Sequence, residues 1–257
     1  MNYKAPLAGL IVSLSMLLAL GAISQHTKAQ AEPGSAAARQ QPIEAPIVVE
    51  LFTSQSCSSC PSADRLLRKL SASNKNILAL SCHVTYWDHL SWKDTLSRSD
   101  CTERQREYAS AHGNGRRIYT PQMVVNGTAN FVGSNRDEAK DAISNARDVK
   151  PIPMFLSGDS ELTAKLPTLP KGSYSLQVFG YKRFHLEQIP SGENRGKDLR
   201  YTNSVTYIGD LEMWDGTSTE KTFSLPGLER REVDGLTMLV QSRRDSSVLG
   251  AGNVSTR

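Results

Sequence analysis

Two cysteines three positions apart, Cys57 and Cys60, sit inside ELFTSQSCSSCPSADRLLRKL (residues 50–70), between an apolar run and an amphipathic one. Sulfur at this spacing has three uses: to ligate a metal, to tie the chain, or to carry electrons. A structural zinc site needs four ligands, commonly two such pairs or one pair with two histidines. Here the pair is single, and Cys82, His83, His89 and Cys101 do not repeat its spacing. A cross-link closing so short a loop removes little entropy from the unfolded chain. Copper is a reasonable cargo in chemical terms, because two thiolates with His83 as third ligand make the soft-sulfur and imidazole set that copper favours. Electron transfer has the fullest mechanism. A thiol at the start of a helix feels the positive end of the helix dipole, which favours thiolate. The thiolate attacks a partner's disulfide, and a second cysteine one turn on resolves the mixed disulfide. Cys57, nearest the loop, is the expected attacker and Cys60 the resolving thiol.

The elements that must hold the pair are legible around it. IVVELF (47–52) is a continuous β-branched and apolar run of the kind buried on both faces of a sheet. Pro61 fits the first turn of a following helix. Ala63, Leu66, Leu67 and Leu70 recur there at helical spacing, and Asp64, Arg65, Arg68 and Lys69 are assigned to the opposite, solvated side. ILALSCHV (77–84) is a second buried strand, TYWDHLSWKDTLSRSD (85–100) a long connection, and TERQREYASAH (102–112) a helix ended by GNGRR. PQMVV and TANFV flank Asn126-Gly127, a strong hairpin signal, and residues 135–147 form a helix with a polar start. Strand–helix–strand crossovers demand parallel pairing and the hairpin an antiparallel edge, so an α/β mixed sheet with helices on both faces is expected.

Thr120-Pro121 stands where the hairpin strand begins. A proline there is tolerated as an ordinary strand opener. In a sheet of this order carrying an N-terminal Cys-x-x-Cys, it is also where the thioredoxin fold keeps its cis-proline, exposing the preceding backbone to an extended substrate. The expectation is a thioredoxin-like domain over 47–149. From residue 150 the texture changes to short β-like runs separated by turn clusters, such as 174–181 and 204–214, which predicts a small all-β, sandwich-like domain over 150–257.

The chain has 257 residues, and Lys4 followed by an uncharged apolar stretch and Ala29-Gln30-Ala31 reads as a signal peptide over 1–31. A retained N-terminal anchor is the alternative, and membrane contact is expected only in that case. Residues 32–46, rich in Pro, Ala, Gln and Gly, read as a linker. The protein is therefore expected in the periplasm or secreted. Without the first 31 residues, 28 basic side chains face 26 acidic ones, and no basic run with interleaved aromatics appears, so nucleic acid is not an expected partner. The expected partners are thiols or disulfides of exported proteins, with a separate redox partner for the pair itself. No metal and no cofactor is expected: SGENRGKD (191–198) falls one residue short of a phosphate-loop motif and lacks its strand-to-helix setting, so it reads as a charged turn.

VVELFTSQSCSSCP, HVTYWDHLSWKD, TERQREYA, YTPQMVVNG and GENRGKDLRYTN together resemble a family of exported bacterial proteins that carries only a domain-of-unknown-function label. The resemblance covers roughly residues 47–252. It implies a thioredoxin-like N-terminal domain, a β-rich C-terminal domain and no established activity. This chain has Ser56 where the family usually has Gly, Cys82 in place of an apolar aromatic, and Thr85 in place of Asp.

Secondary candidates complete the site. Glu50, seven residues before Cys57, is a candidate buried acid for proton exchange with Cys60, or a strand-end carboxylate reaching water. His83 and Thr120 are assigned to the substrate groove, while Trp87 and Trp92 fit a core cap and Lys93 and Asp94 a solvated face. Cys82 and Cys101 either close a bridge worth roughly 3 kcal/mol, relay electrons to the motif, or remain two buried thiols. Thiol–disulfide exchange of unknown direction is the leading expectation. A metal chaperone using the same cysteines and a non-catalytic interaction protein are the alternatives.

Overall fold

The computed structural model describes residues 46–113, 117–146, 148–157, 160–228 and 232–256. The expected signal peptide and nearly all of the linker lie outside the described residues. Elements alternate as expected up to the third helix: β1 (Ile47–Thr53), α1 (Cys60–Ser73), β2 (Ile77–His83), α2 (Ser99–Ala111), β3 (Gln122–Val125), β4 (Ala129–Val132) and α3 (Arg136–Ser144). β1 and β2 pair in parallel from Ile47 opposite Ile77 to Thr53 opposite His83, with α1 as the crossover. β3 runs antiparallel to β1 and to β4. The connection between β3 and β4 is Asn126-Gly127-Thr128, with Asn126 (φ 45°) and Gly127 (φ 73°) both in the left-handed region that tight hairpins favour.

Strand parity sorts the side chains of β1 and β2. Val48, Phe52, Leu78, Leu80 and Cys82 share a core with Cys101 and Tyr108 of α2. Val49, Leu51, Ile77 and Ala79 share another with Ala63, Leu66 and Leu67 of α1 and Ala139 of α3. Glu50 therefore points to the α2 side, whereas Thr53, Ser81 and His83 point to the α1 side.

The remaining strands are β5 (Lys150–Pro151), β6 (Met154–Ser157), β7 (Glu161–Leu166), β8 (Tyr174–Gln188), β9 (Asp198–Trp214), β10 (Thr219–Ser224), β11 (Gly235–Ser242) and β12 (Val248–Ser255). One nine-stranded mixed sheet runs in the order β4-β3-β1-β2-β9-β8-β11-β12-β5, and β10-β7-β6 form a second sheet. β9 joins β2 in parallel at Ser81 opposite Ser204, where the Asn203 side chain donates to Ala79 O at 2.8 Å. The second sheet shares a core with β8 and β11 through Leu162, Leu166, Phe223, Leu176, Met238 and Val240. This corrects the expectation of a separate sandwich-like domain from residue 150. The described residues fall in one compact unit, and the later strands extend the sheet begun by β1. The runs read at 174–181 and 204–214 are the inner parts of a longer ribbon, β8–β9, whose far end reaches back over α1.

Candidate functional site

Cys57 and Cys60 are joined in a disulfide. β1 ends at Thr53, residues 54–59 make a tight loop, and α1 begins at Cys60 with Pro61 in its first turn. Within the loop the Cys57 amide donates to Ser54 O and the Cys60 amide to Cys57 O, each at 3.2 Å. Cys60 is fully buried and Cys57 is 4% exposed, while Ser58 and Ser59 between them face solvent.

The loop is held from outside by two segments distant in sequence. From the 85–98 connection, Asp94 Oδ2 accepts from the Gln55 amide at 2.8 Å and pairs with His83 Nδ1 at 2.7 Å, and Asp94 Oδ1 accepts from the Leu96 amide at 2.8 Å. Trp92 Nε1 donates to Gln55 Oε1 at 2.9 Å, and the Ser56 hydroxyl donates to Trp92 O. From the turn between β8 and β9, the buried Asn194 amide donates to Gln55 O at 2.8 Å and to Cys57 O at 2.9 Å. Ser191 adds a bond to Ser91 O at 2.9 Å. The charged turn read in SGENRGKD is thus a clip on the cysteine loop.

A polar cluster lies on the α1 side of the sheet, beginning one helical turn past Cys60. Asp64, one helical turn past Cys60, accepts from the Thr53 hydroxyl at 2.9 Å through Oδ1, while its Oδ2 has no hydrogen-bond partner among the described residues. Burial pushes the Asp64 carboxyl up to about 7, with His83 and the Thr53 hydrogen bond pulling against it. Burial alone would lower His83, but the charge of Asp94 and its hydrogen bond raise it. The same pairing outweighs burial at Asp94 and lowers it. Tyr201 of β9 packs edge-on against His83 at 4.6 Å between ring centroids, and its hydroxyl is likewise unpartnered among the described residues. Burial holds that phenol protonated.

Several expected roles change. Glu50 is buried on the α2 side and closed into a bidentate pair with Arg104, whose Nη2 donates to Oε1 at 2.8 Å. Tyr108 OH donates to the same oxygen. Strand parity turns Glu50 away from α1, so it does not face Cys60; Asp64, placed on the charged side of the helix in the sequence, is instead the buried carboxyl one helical turn along from Cys60. His83 is fully buried rather than part of a groove wall, and both ring nitrogens have partners, Asp94 on Nδ1 and Ser81 on Nε2 at 3.4 Å. Asp94 is buried, not solvated. The one signal that could have found Asp64 is its spacing: residue 64 follows Cys60 by four, and side chains so related meet on one helix face.

Other assignments find their places. The Thr120–Pro121 peptide is cis. A Cβ built on Gly133 would lie 3.2 Å from Pro121 Cβ and 3.3 Å from Ala63 Cβ, so Pro121 sits beside the first turn of α1. The half-buried Thr120 accepts from Trp87 Nε1 at 2.8 Å. Cys82 and Cys101 form the second disulfide, tying β2 to α2. Among the described residues no cluster of three or more histidine, cysteine or acidic side chains has metal-binding geometry.

These features define a mixed α/β protein with a disulfide at the mouth of its first helix. Residues 48–241 match the family described as "Protein of unknown function (DUF1223)", and the chain belongs to that family. An X-ray structure of a protein from Agrobacterium tumefaciens is similar at TM-score 0.69 and 29% identity, covering 83% of this chain and 96% of that one. HBP35 of Porphyromonas gingivalis shares the fold at TM-score 0.55 and 16% identity, over 82% of this chain and 75% of its own. No curated protein matches the chain.

Proposed function

We propose that this protein is a thioredoxin-like thiol–disulfide oxidoreductase acting on exported proteins, with Cys57 as attacking sulfur and Cys60 as resolving sulfur. One observation carries the reading: the disulfide opens α1, and a buried carboxyl with an unpartnered oxygen, Asp64, lies one turn beneath it. The β1–α1–β2 crossover, the antiparallel β3–β4 hairpin and Pro121 beside the helix start support the thioredoxin-like assignment. Two disulfides fit an oxidising compartment outside the cytoplasm. Among the described residues no helix is long and apolar enough to cross a membrane.

In the reduced protein, the Cys57 thiolate attacks one sulfur of a partner disulfide. A bond forms between Cys57 and the partner, and the partner's other sulfur leaves as a thiolate and takes up a proton. Cys60 then gives its proton to the Asp64 carboxylate and attacks Cys57 Sγ. The Cys57–Cys60 bond forms, the mixed disulfide breaks, and the second partner sulfur leaves and is protonated. Two electrons have passed from the pair to the partner; run backwards, the oxidised pair takes two electrons from a dithiol. A carboxyl near 7 suits both directions, because it is populated as acid and as base at neutral pH. The exposed Ser58 and Ser59 mark the side from which a partner reaches Cys57.

Titration of the pair against dithiothreitol redox buffers, with maleimide trapping and intact mass as readout, is expected to give one two-electron transition. In the reduced protein Cys57 labels first, with a pH midpoint below the free-cysteine value of about 8.5. Cys60→Ser accumulates a mixed disulfide at Cys57. A Cys57 that titrates at or above the free value, or a Cys60→Ser protein that traps no partner, overturns the reading.

A further inference from the structure

Beside the first turn of α1 a cleft of about 260 Å³ opens between the helix and the start of β9. One wall carries Pro61, Asp64, Arg65 and Arg68, and the other carries Asp198 and Arg200. Residues 60, 64 and 68 follow one another at helical spacing, so the cleft runs along the stripe that begins at Cys60. Pro61, on its helix wall, directly follows Cys60 in the chain.

The charges in this cleft do not cancel. Arg65, Arg68 and Arg200 line it, and among the described residues none of the three takes part in an ion pair. Arg68 spends one donor on Arg200 O at 3.2 Å. Against them stand Asp198 at the rim and Asp64 at the floor, and Asp64 is only 6% exposed with Oδ2 unpartnered. Burial keeps a large share of Asp64 uncharged at neutral pH. In that state it offers an O–H donor rather than a repelling charge. The site is thus rich in donors and short of acceptors. A guanidinium's planar fork of N–H groups matches a carboxylate in particular.

We infer that this cleft is a carboxylate subsite of the redox centre, which seats an acidic group of the molecule whose sulfur meets Cys57. The inference rests on the thiol–disulfide exchange reading and names the chemistry of its partner. The carboxylate comes either from an acidic side chain flanking a cysteine in a protein or from a small thiol such as glutathione.

The test compares second-order exchange rates of the full chain with matched peptide disulfides carrying Glu, Gln or Lys beside the cysteine, and with glutathione disulfide and its neutral ester. The Glu peptide or free glutathione disulfide is expected to react about tenfold faster than its uncharged counterpart at low salt, with the advantage shrinking as salt rises. A preference confined to the Glu peptide assigns the subsite to protein partners, and one confined to glutathione disulfide assigns it to the small thiol. Arg65→Gln with Arg68→Gln, both on the outside of α1, removes the preference. Arg106→Gln, on α2, keeps it. Equal rates for Glu, Gln and Lys probes and for the ester pair overturn the inference. Dithiothreitol, which carries no charge, separates this from failure of the underlying reading: a pair that dithiothreitol does not reduce is no exchange centre at all.

Discussion

Glu50 and Asp64 are both buried carboxylates within fifteen residues of sequence, one on each side of the same sheet. Glu50 meets a complete shell. Arg104 grips both of its oxygens, Tyr108 donates to one of them, and the Arg104 guanidinium goes on to Gln177 and Gln241 and lies over the rings of Tyr108 and Phe179. Asp64 has one hydroxyl donor and one bare oxygen, beneath an unpartnered Tyr201 hydroxyl. A buried polar network rewards completeness with rigidity, and a half-satisfied one costs stability. The closed network therefore ties α2 to the sheet, and the open one holds the carboxyl to which the proposed exchange assigns a proton transfer. The difference between them shows that burial by itself does not decide how a carboxylate is held. Glu50 has a charge partner in direct contact, and Asp64 has a single hydroxyl.

The largest effect should come from breaking the closed network. Arg104→Met strands Glu50 in the core and is expected to cost about 3–5 kcal/mol in urea unfolding. Adding Glu50→Gln should return a good part of that loss, and a double variant no better than the single one would break the comparison.

Asp64→Asn should act in the opposite sense. The folded-state pKa of about 7 lies above the ordinary carboxyl value of 3.8, so the folded protein holds this proton more tightly than the unfolded chain. Stability from this group is complete below the unfolded value and declines as pH rises from about 4 to about 7. The shift corresponds to roughly 4 kcal/mol at its upper limit. The Asn variant lacks that slope, so its advantage over the parent should grow across this window and level off above it. Its resolution step should slow by about a hundredfold, read as persistence of the mixed disulfide at Cys57. A variant with the parental pH–stability slope would remove Asp64 from its assigned place.

The smallest effect sharpens the contrast. Tyr201→Phe deletes a hydroxyl that has no partner among the described residues, so thermal or urea unfolding should move by less than about 1 kcal/mol, neutral or upward. A loss much beyond that would mean the hydroxyl is bonded after all.

Much of the first half of the molecule was legible in sequence because its signals are local. The apolar runs at 47–52 and 77–84, the helical spacing after Pro61 and the Asn126-Gly127 turn each specify their element within a few residues. Choosing between Glu50 and Asp64 was not possible on those terms. Glu50 is one residue out of phase with Thr53 on a strand whose side chains alternate, and only the packing of α2 against one face shows which phase is which. Asp64 reads as solvated because nothing near it in sequence covers it; the segment that faces it across the cleft, at residues 198–200, lies more than a hundred residues on. Asp94 was hidden in the same way, since a charge in a long loop looks exposed until the loop folds back on the sheet. The unbroken sheet from β4 to β5 was missed because its join, Ser81 opposite Ser204, leaves no periodic trace.

The Asn194 clip carries a consequence for how the chain matures. Its amide reaches Cys57 O across 137 positions of sequence, so a nascent chain emerging from its N-terminus exposes both motif sulfurs well before their cover has been synthesised. Until then the cysteine loop lacks its Asn194 bonds, and the completed β8–β9 ribbon supplies them.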